Sequence, residues 1–145
     1  MQAVILVSTG ATRLQSFAPE MPAAMDSFFD RPVVEHSIRL LAKHGVTDII
    51  VAVSRHAPQV SQYLDDGSKW GVNVRYCVAA HPGVRRDRGT AGMLKFAQGI
   101  IGESFIVLPS DAVSDVDITY ALNSHVSASA IATVILHKVE FPGEH

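Results

Sequence analysis

The chain has 145 residues, and its 12 Lys and Arg against 14 Asp and Glu give a formal charge of −2 at pH 7. A charge so near zero excludes the basic surface of a nucleic-acid-binding protein, and 48% hydrophobic with 18% charged residues excludes a disordered chain. No apolar run approaches the roughly 20 residues of a membrane helix, and the first residues lack the basic region of a secretory signal. We therefore expect one compact cytoplasmic domain with no membrane or nucleic-acid partner.

Apolar runs of strand length alternate with helical patterns along the chain. The first run, 3–7, is wholly apolar and stops at a Ser-Thr-Gly sequence, as a strand buried on both faces does when it enters a loop. The predicted strands are 3–7, 49–53, 72–78, 105–108 and 131–136. The first predicted helix has Pro32 in its first turn, and Pro58 opens the second. The third runs from about Thr90 to Ile100, and the fourth follows Asp117 as its N-cap residue. Such alternation predicts an α/β fold, a Rossmann-like three-layer sandwich with a mainly parallel sheet, because parallel neighbours need crossover helices.

Several residue types that often carry chemistry have an ordinary structural explanation here. The single cysteine, Cys77, lies in an apolar strand-like run, so we expect an inert core thiol. Trp70 is predicted to pack at a turn rather than to stack on a ligand. The seven histidines lack the spacing of zinc ligands, and no Gly-x-Ser-x-Gly elbow is present. Zinc sites and serine hydrolases are therefore poor interpretations.

Two segments could bind a phosphorylated ligand, since ligands bind at the carboxyl ends of parallel strands. The first is segment 8–14, after the first predicted strand. It begins the long connection 8–31, and long connections are often functional. Its small residues would let backbone N–H groups approach a phosphate, and Arg13 could neutralise the charge. The segment matches neither a dinucleotide-binding pattern nor a P-loop, and an ordinary strand-to-loop turn is the alternative that its residues alone favour. Gly89 and Thr90 open the third predicted helix, where free N–H groups favour an anion, although a plain helix start also explains them.

A third segment, with Asp111 directly after the fourth predicted strand, could bind a metal ion. Carboxylates at such a position hold Mg²⁺ together with substrate phosphates. A turn without a metal is the alternative for Asp111, and Asp115 and Asp117 are more typical of a turn and an N-cap.

Seven segments, taken in order, resemble one known family. They are AVIL at 3–6, TRL at 12–14, RPVVEH at 31–36, HGVTDIIVAV at 44–53, LDDGSKWGVNVRY at 64–76, RGTAGML at 88–94 and SDAVSDVD at 110–117. Their order and spacing are similar to the N-terminal part of the sugar-phosphate nucleotidyltransferases, the NDP-sugar pyrophosphorylases, from Met1 to about Val139. Overall similarity is to the mannose-1-phosphate guanylyltransferase branch.

The resemblance implies a glycosyltransferase-A-like fold and a reaction. A sugar-1-phosphate oxygen attacks the α-phosphate of a nucleoside triphosphate with Mg²⁺ present, and pyrophosphate leaves. Carried over by position, Asp111 would be the Mg²⁺ aspartate and Arg13 the arginine of the signature loop that acts in catalysis. The nucleotide-binding positions in that loop would be Ser8, Thr9, Gly10, Ala11 and Thr12. The backbone at Gly89 and Thr90 would contact the nucleobase.

Two departures from the family pattern imply an impaired enzyme. The family's AGGxGTRL has three glycines that are Ser8, Thr9 and Ala11 here, and its phosphate-contacting lysine is Ala23. Losing such a charge typically costs on the order of 10² to 10³ in rate. Three arginines before Gly89 could restore positive charge, or they could form a solvated loop; they are Arg85, Arg86 and Arg88.

The length also departs from the family, whose catalytic domain is longer and whose later part supplies the sugar-binding surface. We therefore expect residues 1–145 to be the N-terminal nucleotide-binding part of a truncated domain, with exposed apolar surface that favours homo-oligomers. Three hypotheses remain open. The chain is part of an enzyme that uses a nucleoside triphosphate and a sugar-1-phosphate, a catalytically silent module for nucleotide binding or assembly, or a scaffold without a ligand.

Overall fold

The computed structural model of the chain describes residues 1–7, 22–53, 58–78 and 89–136. The strands are β1 (Gln2–Val7), β2 (Ser27–Phe28), β3 (Arg31–Pro32), β4 (Asp48–Val53), β5 (Asn73–Val78) and β6 (Phe105–Pro109). The helices are α1 (Val33–Lys43), α2 (Pro58–Leu64), α3 (Gly89–Ala97) and α4 (Ile118–Ser127). The chain divides into two compact units, Met1–Ser114 and Asp115–His145. In the part of the chain that the structure describes, no helix is long and apolar enough to cross a membrane.

Four parallel strands form the main sheet in the order β5-β4-β1-β6. The central strand β1 pairs with β4 on one side and with β6 on the other, so that Leu6 lies between Ala52 and Pro109. From β1 the chain moves outward through β4 to β5, and then it crosses back to β6 on the far side of β1. The predicted α/β fold with a parallel sheet is confirmed.

The two faces of the sheet are buried under helices on opposite sides. On one face, Val4 and Leu6 of β1 join Met93 and Ala97 of α3 in a buried cluster. The alternate residues of β1 point to the other face, and Ile5 is fully buried there. Helices α1 and α2 connect β1 to β4 and β4 to β5, whereas α3 connects β5 back to β6 in the opposite direction across the sheet. Because all these crossovers are right-handed, α1 and α2 lie on the face opposite to α3.

Helix α1 forms because its apolar residues recur at helical spacing. Val34, Ile38 and Leu41 form a stripe that is fully buried, as the sequence predicted. Pro32 precedes the first turn in an extended conformation rather than lying within it. The helix ends before Gly45, whose φ of +72° is the left-handed conformation that closes many helices.

The second unit differs from the prediction at its end. Helix α4 begins as predicted, with the backbone N–H of Tyr120 donating to Oδ1 of Asp117 at 2.9 Å. The predicted strand 131–136 is wrong, because this segment pairs with no strand among the described residues. Its apolar side chains are exposed, Ile131 completely so. An apolar run becomes a strand only when a neighbour accepts its backbone hydrogen bonds, and sequence periodicity does not supply that neighbour.

A small hairpin was not predicted within the long connection after β1. Strands β2 and β3 pair antiparallel, and the two residues that join them, Phe29 and Asp30, have φ of +48° and +62°. Asn-Gly or Asp-Gly is the usual sequence signal for such a turn, and neither is present here. The hairpin therefore had no recognisable signal in the sequence.

The turn between α2 and β5 depends on one glycine with no room for a side chain. Gly67 has a φ of +82°, and a Cβ there would lie 2.6 Å from Val74 Cγ2 and 2.8 Å from Val72 Cγ2. Trp70 packs beside Tyr63 in this turn, with the Lys69 ammonium 4.5 Å from the Trp70 ring centroid. The predicted packing role of Trp70 is consistent with these contacts.

The substitution Gly67→Ala should lower the free energy of unfolding by about 2–4 kcal/mol, because it adds a steric clash to the strain of a positive φ. Gly71→Ala is the matched control, since Gly71 has a φ of +70° but nothing within 4 Å of a Cβ. That control should lose only about 1–2 kcal/mol. Urea unfolding of the three proteins measures both losses, and equal losses would contradict the steric argument.

Candidate functional site at the carboxyl edge of the sheet

The strand order reverses beside β1, and this reversal defines where a ligand can bind. The chain leaves β1 toward β4 but later returns to β6 on its other side, and ligands of open parallel sheets bind at such a reversal, beyond the carboxyl ends of the strands. The backbone N–H of Ser110 donates to the carbonyl of Leu6 at 3.1 Å, so the two strands remain joined up to this edge. Ser110 is buried, and Asp111 follows it directly and is partly exposed. The structure thus places Asp111 at the predicted edge.

The donor chemistry at Asp111 fits Mg²⁺ if a ligand supplies the other oxygens. Mg²⁺ prefers carboxylate and phosphate oxygens and usually retains several waters. Over residues 1–7, 22–53, 58–78 and 89–136, no three His, Cys, Asp or Glu side chains cluster to hold a metal by themselves. An ion at this place would therefore be shared between Asp111 and the phosphates of a bound nucleotide.

The start of α3 lies at the same edge of the sheet as Asp111. Helix α3 connects the end of β5 to the beginning of the parallel strand β6, so its first turn is at the carboxyl edge. Gly89 and Thr90 form the first residues of this turn, which contains no acidic residue. Free N–H groups at such a terminus favour a polar or anionic ligand. Topology therefore brings two of the predicted segments to one edge.

The remaining predicted positions lie outside the described residues. They are the loop residues Ser8, Thr9, Gly10, Ala11 and Thr12, the predicted catalytic residue Arg13, and the alternative cations Arg85, Arg86 and Arg88. Their roles stay predictions from the resemblance.

Ala23 occupies a packed position that carries no charge. It begins a 3₁₀ turn, Ala23–Met25, that lies against α1 and α2. Ala23 is 4% exposed and Ala24 only 1% exposed. A lysine at position 23 would have to extend its ammonium out of this packing to reach a ligand. The small apolar side chain is thus part of the fold at this place.

A buried carboxylate, Glu35, ties α1 to α2 and was not recognised from the sequence. It accepts hydrogen bonds from the Arg39 guanidinium at 2.6 Å and from the Tyr63 hydroxyl. Burial alone would raise the pKa of Glu35, but the bonds from Tyr63 and Arg39, with the nearby Trp70 indole, lower it to about 2. Burial and the Glu35 carboxylate raise the pKa of Tyr63 to about 12. The i, i+4 spacing of Glu35 and Arg39 was the available sequence signal.

Polar contacts also fix the opposite, amino edge of the sheet. Gln2 Nε2 donates to Asp48 at 2.7 Å, and Arg75 contacts the same carboxylate at 3.0 Å. The hydrogen bond from Gln2 and the Arg75 guanidinium lower the pKa of Asp48, although burial opposes them. The backbone N–H of Gly102 donates to Gln2 Oε1 at 2.6 Å. These contacts join β1, β4 and β5 away from the candidate site, and we interpret them as structural.

Cys77 packs beside the cluster under α3. Burial raises the pKa of its thiol, and a raised thiol pKa means little thiolate near neutral pH. The expectation of an unreactive thiol is consistent with this environment.

An acidic residue at the switch point of a parallel α/β sheet is typical of α/β proteins that bind phosphorylated ligands. The chain belongs to the nucleotidyl transferase family, whose model matches residues 2–144.

Curated relatives share about a third of their matched residues with this chain. The UTP–glucose-1-phosphate uridylyltransferase of Synechocystis sp. is 34% identical over 96% of this chain and 38% of its own length. The mannose-1-phosphate guanyltransferase of Hypocrea jecorina is 31% identical over 100% of this chain and 40% of its own length. The chain therefore spans about two fifths of these relatives.

Solved structures share the fold at lower identity. HddC from Yersinia pseudotuberculosis, complexed with GMP-PN, has a TM-score of 0.70 and 24% identity, with 86% of this chain and 54% of that chain covered. The UDP-glucose pyrophosphorylase from Acinetobacter baumanii has a TM-score of 0.68 and 18% identity, with 90% and 54% covered. These structures support the three-layer arrangement expected for this chain.

The acid dependence of stability should reveal the buried carboxylate. The pKa of Glu35 is about 2 in the fold against an ordinary 4.5. Its ionised form therefore stabilises the fold fully at pH values above the ordinary pKa. This contribution is lost as the pH falls toward the folded pKa. Glu35→Gln should cost about 2 kcal/mol near neutral pH, and its deficit should shrink in acid.

Urea unfolding at several pH values measures this deficit. The exposed acid Glu103 provides the control Glu103→Gln, which should behave as the parent chain does. A deficit for Glu35→Gln that stays constant from neutral to acid pH would contradict the proposed role of ionised Glu35.

Proposed function

We propose that the chain is the nucleotide-binding part of a sugar-1-phosphate nucleotidyltransferase domain. The observation that carries this proposal is Asp111 at the switch point between β1 and β6, in a chain of the nucleotidyl transferase family. In the proposed complex a nucleoside triphosphate binds with Mg²⁺ at the carboxyl edge. The proposal includes a cytoplasmic location, where nucleoside triphosphates and sugar phosphates are available.

Each predicted residue has a definite role in the proposal. Asp111 would hold Mg²⁺, and the ion would supply positive charge that neutralises the phosphates. The loop 8–12 holds the triphosphate and Arg13 stabilises the charge on the transferring phosphoryl group. The backbone at Gly89 and Thr90 contacts the base.

The names of two relatives suggest which substrates to test. The Synechocystis relative is named for UTP and glucose-1-phosphate, and the Hypocrea relative for guanyl transfer to mannose-1-phosphate. Overall sequence similarity favours guanine and mannose. Both nucleotides, UTP and GTP, are therefore included in the binding experiment.

A second candidate function is nucleotide binding without catalysis. The buried, uncharged Ala23 at the position of the family's lysine favours it. Removing one electrostatic stabiliser typically lowers the rate on the order of 10² to 10³. For this chain alone we expect nucleotide binding with little pyrophosphate release.

Calorimetric titration with Mg²⁺ and GTP, UTP, dTTP or ATP tests the binding proposal. We expect one nucleotide to bind saturably, and Asp111→Asn to weaken its Mg²⁺-dependent binding at least about tenfold, since a charged metal ligand is lost. Glu103→Gln is the matched control, because Glu103 is an exposed acid just before the other end of the same strand. No binding of any nucleotide, or equal effects of the two substitutions, would reject the proposal.

The position of the missing lysine provides a gain-of-function test. Ala23→Lys should tighten triphosphate binding about tenfold by adding a charge-assisted hydrogen bond. Ala23→Met is the control for side-chain length, and it should not tighten binding. Circular dichroism checks that both variants fold. Equal affinities of folded Lys and Met variants would show that position 23 does not face the triphosphate.

A further inference from the structure

A hydrogen bond to buried Glu35 reaches from α2 to α1. The Glu35 carboxylate accepts from the Tyr63 hydroxyl on α2 and from the Arg39 guanidinium on its own helix. Glu35 is buried, whereas the Arg39 side chain is half-exposed. Because the bond from Arg39 lies within α1, it is the Tyr63 hydroxyl that extends this network to the second helix.

Such a bond determines the position of the helices more than it adds stability. Replacing a buried ionic group by apolar side chains of similar volume is often neutral or stabilising. Apolar contacts, however, are non-directional, whereas a hydrogen bond requires a particular distance and angle. A carboxylate between α1 and α2 therefore fixes how the two helices lie relative to each other.

The Tyr63 ring is itself held by its neighbours. Its centroid lies 5.9 Å from that of Trp70, and the Lys69 ammonium lies 4.6 Å from it. Both neighbours belong to the 3₁₀ turn Ser68–Trp70, which follows α2. An aromatic ring packed in this way keeps its hydroxyl directed at Glu35.

The 3₁₀ turn Ala23–Met25 depends on the position of the same two helices. It packs against both α1 and α2, and Ala24 is almost fully buried. The carbonyl of Asp26 accepts from the backbone N–H of Val33, the first residue of α1, at 3.0 Å. A shift of α2 relative to α1 would therefore displace or open this turn.

The Ala23–Met25 turn also belongs to the candidate site by its place in the chain. Helix α1 leads to the amino end of the parallel strand β4 and α2 follows the carboxyl end of β4, so both helices begin at the carboxyl edge. In chain order the turn stands between the proposed triphosphate loop 8–12 and α1. It contains position 23, where the resemblance places the family's phosphate-contacting lysine.

We propose that Glu35 and Tyr63 are positioning residues of the candidate site. Their hydrogen bond holds α1 and α2 at the separation that fixes the Ala23–Met25 turn, and this turn anchors the connection that carries the triphosphate loop. In this proposal neither side chain contacts the nucleotide. The effect on the ligand rests on the proposed function, but the anchoring of the turn can be measured without a ligand.

Hydrogen exchange in the absence of nucleotide tests the anchoring. The backbone N–H of Asp26 donates to the carbonyl of Ala23 at 3.1 Å, so its exchange reports opening of the turn. The substitution Tyr63→Phe should accelerate this exchange at least about fivefold, which is the effect of one net hydrogen bond. The amide of Ile50 in β4 is the reference for unfolding of the whole sheet.

Tyr76→Phe is the matched control. The Tyr76 hydroxyl donates to the carbonyl of Asp65 at 2.6 Å, just after α2, so it joins that turn to β5 and not to α1. Both variants lose a bond made by a tyrosine hydroxyl, and urea unfolding should show similar losses of stability. Only Tyr63→Phe should accelerate the exchange of the Asp26 amide relative to Ile50.

Calorimetry with Mg²⁺ and the nucleotide that the parent chain binds tests the effect on the site. Tyr63→Phe should weaken binding at least about fivefold, and Tyr76→Phe less than about twofold. Glu35→Asp keeps the carboxylate but is one methylene shorter, so it should repeat both effects of Tyr63→Phe. It also replaces Tyr63→Phe in the experiment if that variant does not fold.

The outcomes separate this inference from the proposed function. Unchanged Asp26 exchange in Tyr63→Phe, equal effects of the two phenylalanine substitutions, or faster exchange with unchanged affinity would overturn the positioning role. A parent chain that binds no nucleotide would reject the proposed function, and the exchange measurement would still decide whether Glu35 and Tyr63 anchor the turn.

Discussion

The rest of the structure depends on the double pairing of β1. This strand bonds β4 on one side and β6 on the other, and its residues from Ala3 to Val7 are all buried and apolar. A strand that lies between two other strands and two layers of helices is typically a near-continuous apolar run. Its register determines where the loop after Val7 begins and where Asp111 emerges. The candidate site is thus a consequence of how one strand is placed.

The elements that the sequence predicted well are those whose own residues determine their burial. The apolar runs of β1 and β4 and the helical stripe Val34, Ile38 and Leu41 need no distant information to be recognised. Segment 131–136 has an equally apolar sequence, but it lacks a pairing strand among the described residues. Pairing is a tertiary property, so apolar sequence alone overpredicted a strand there.

In the candidate site too, some features could be predicted from the sequence and others could not. The position of Asp111 followed from a strand end in a parallel sheet, which sequence order alone can indicate. The contacts of Glu35 could not follow, because the Tyr63 hydroxyl comes from a residue 28 positions away on another helix. The burial of Ala23 likewise depends on α1 and α2 packing around a turn. Sequence reasoning indicated the strand end at which Asp111 lies, but not which polar groups stabilise the fold.

The carboxylates at the amino and carboxyl edges of the sheet differ in their electrostatic environment. At the amino edge, Asp48 is neutralised by Arg75 and bonded by Gln2, so its charge is used within the fold. At the carboxyl edge, Asp111 is partly exposed, and the start of α3 lies at the same edge of the sheet. An added cation there can bridge this carboxylate and an anionic ligand, which neither negative group could do alone. In the proposed complex Ala23 contributes no charge, so the affinity for a phosphorylated ligand at this edge would depend on that cation more strongly than it would with a lysine at the same place.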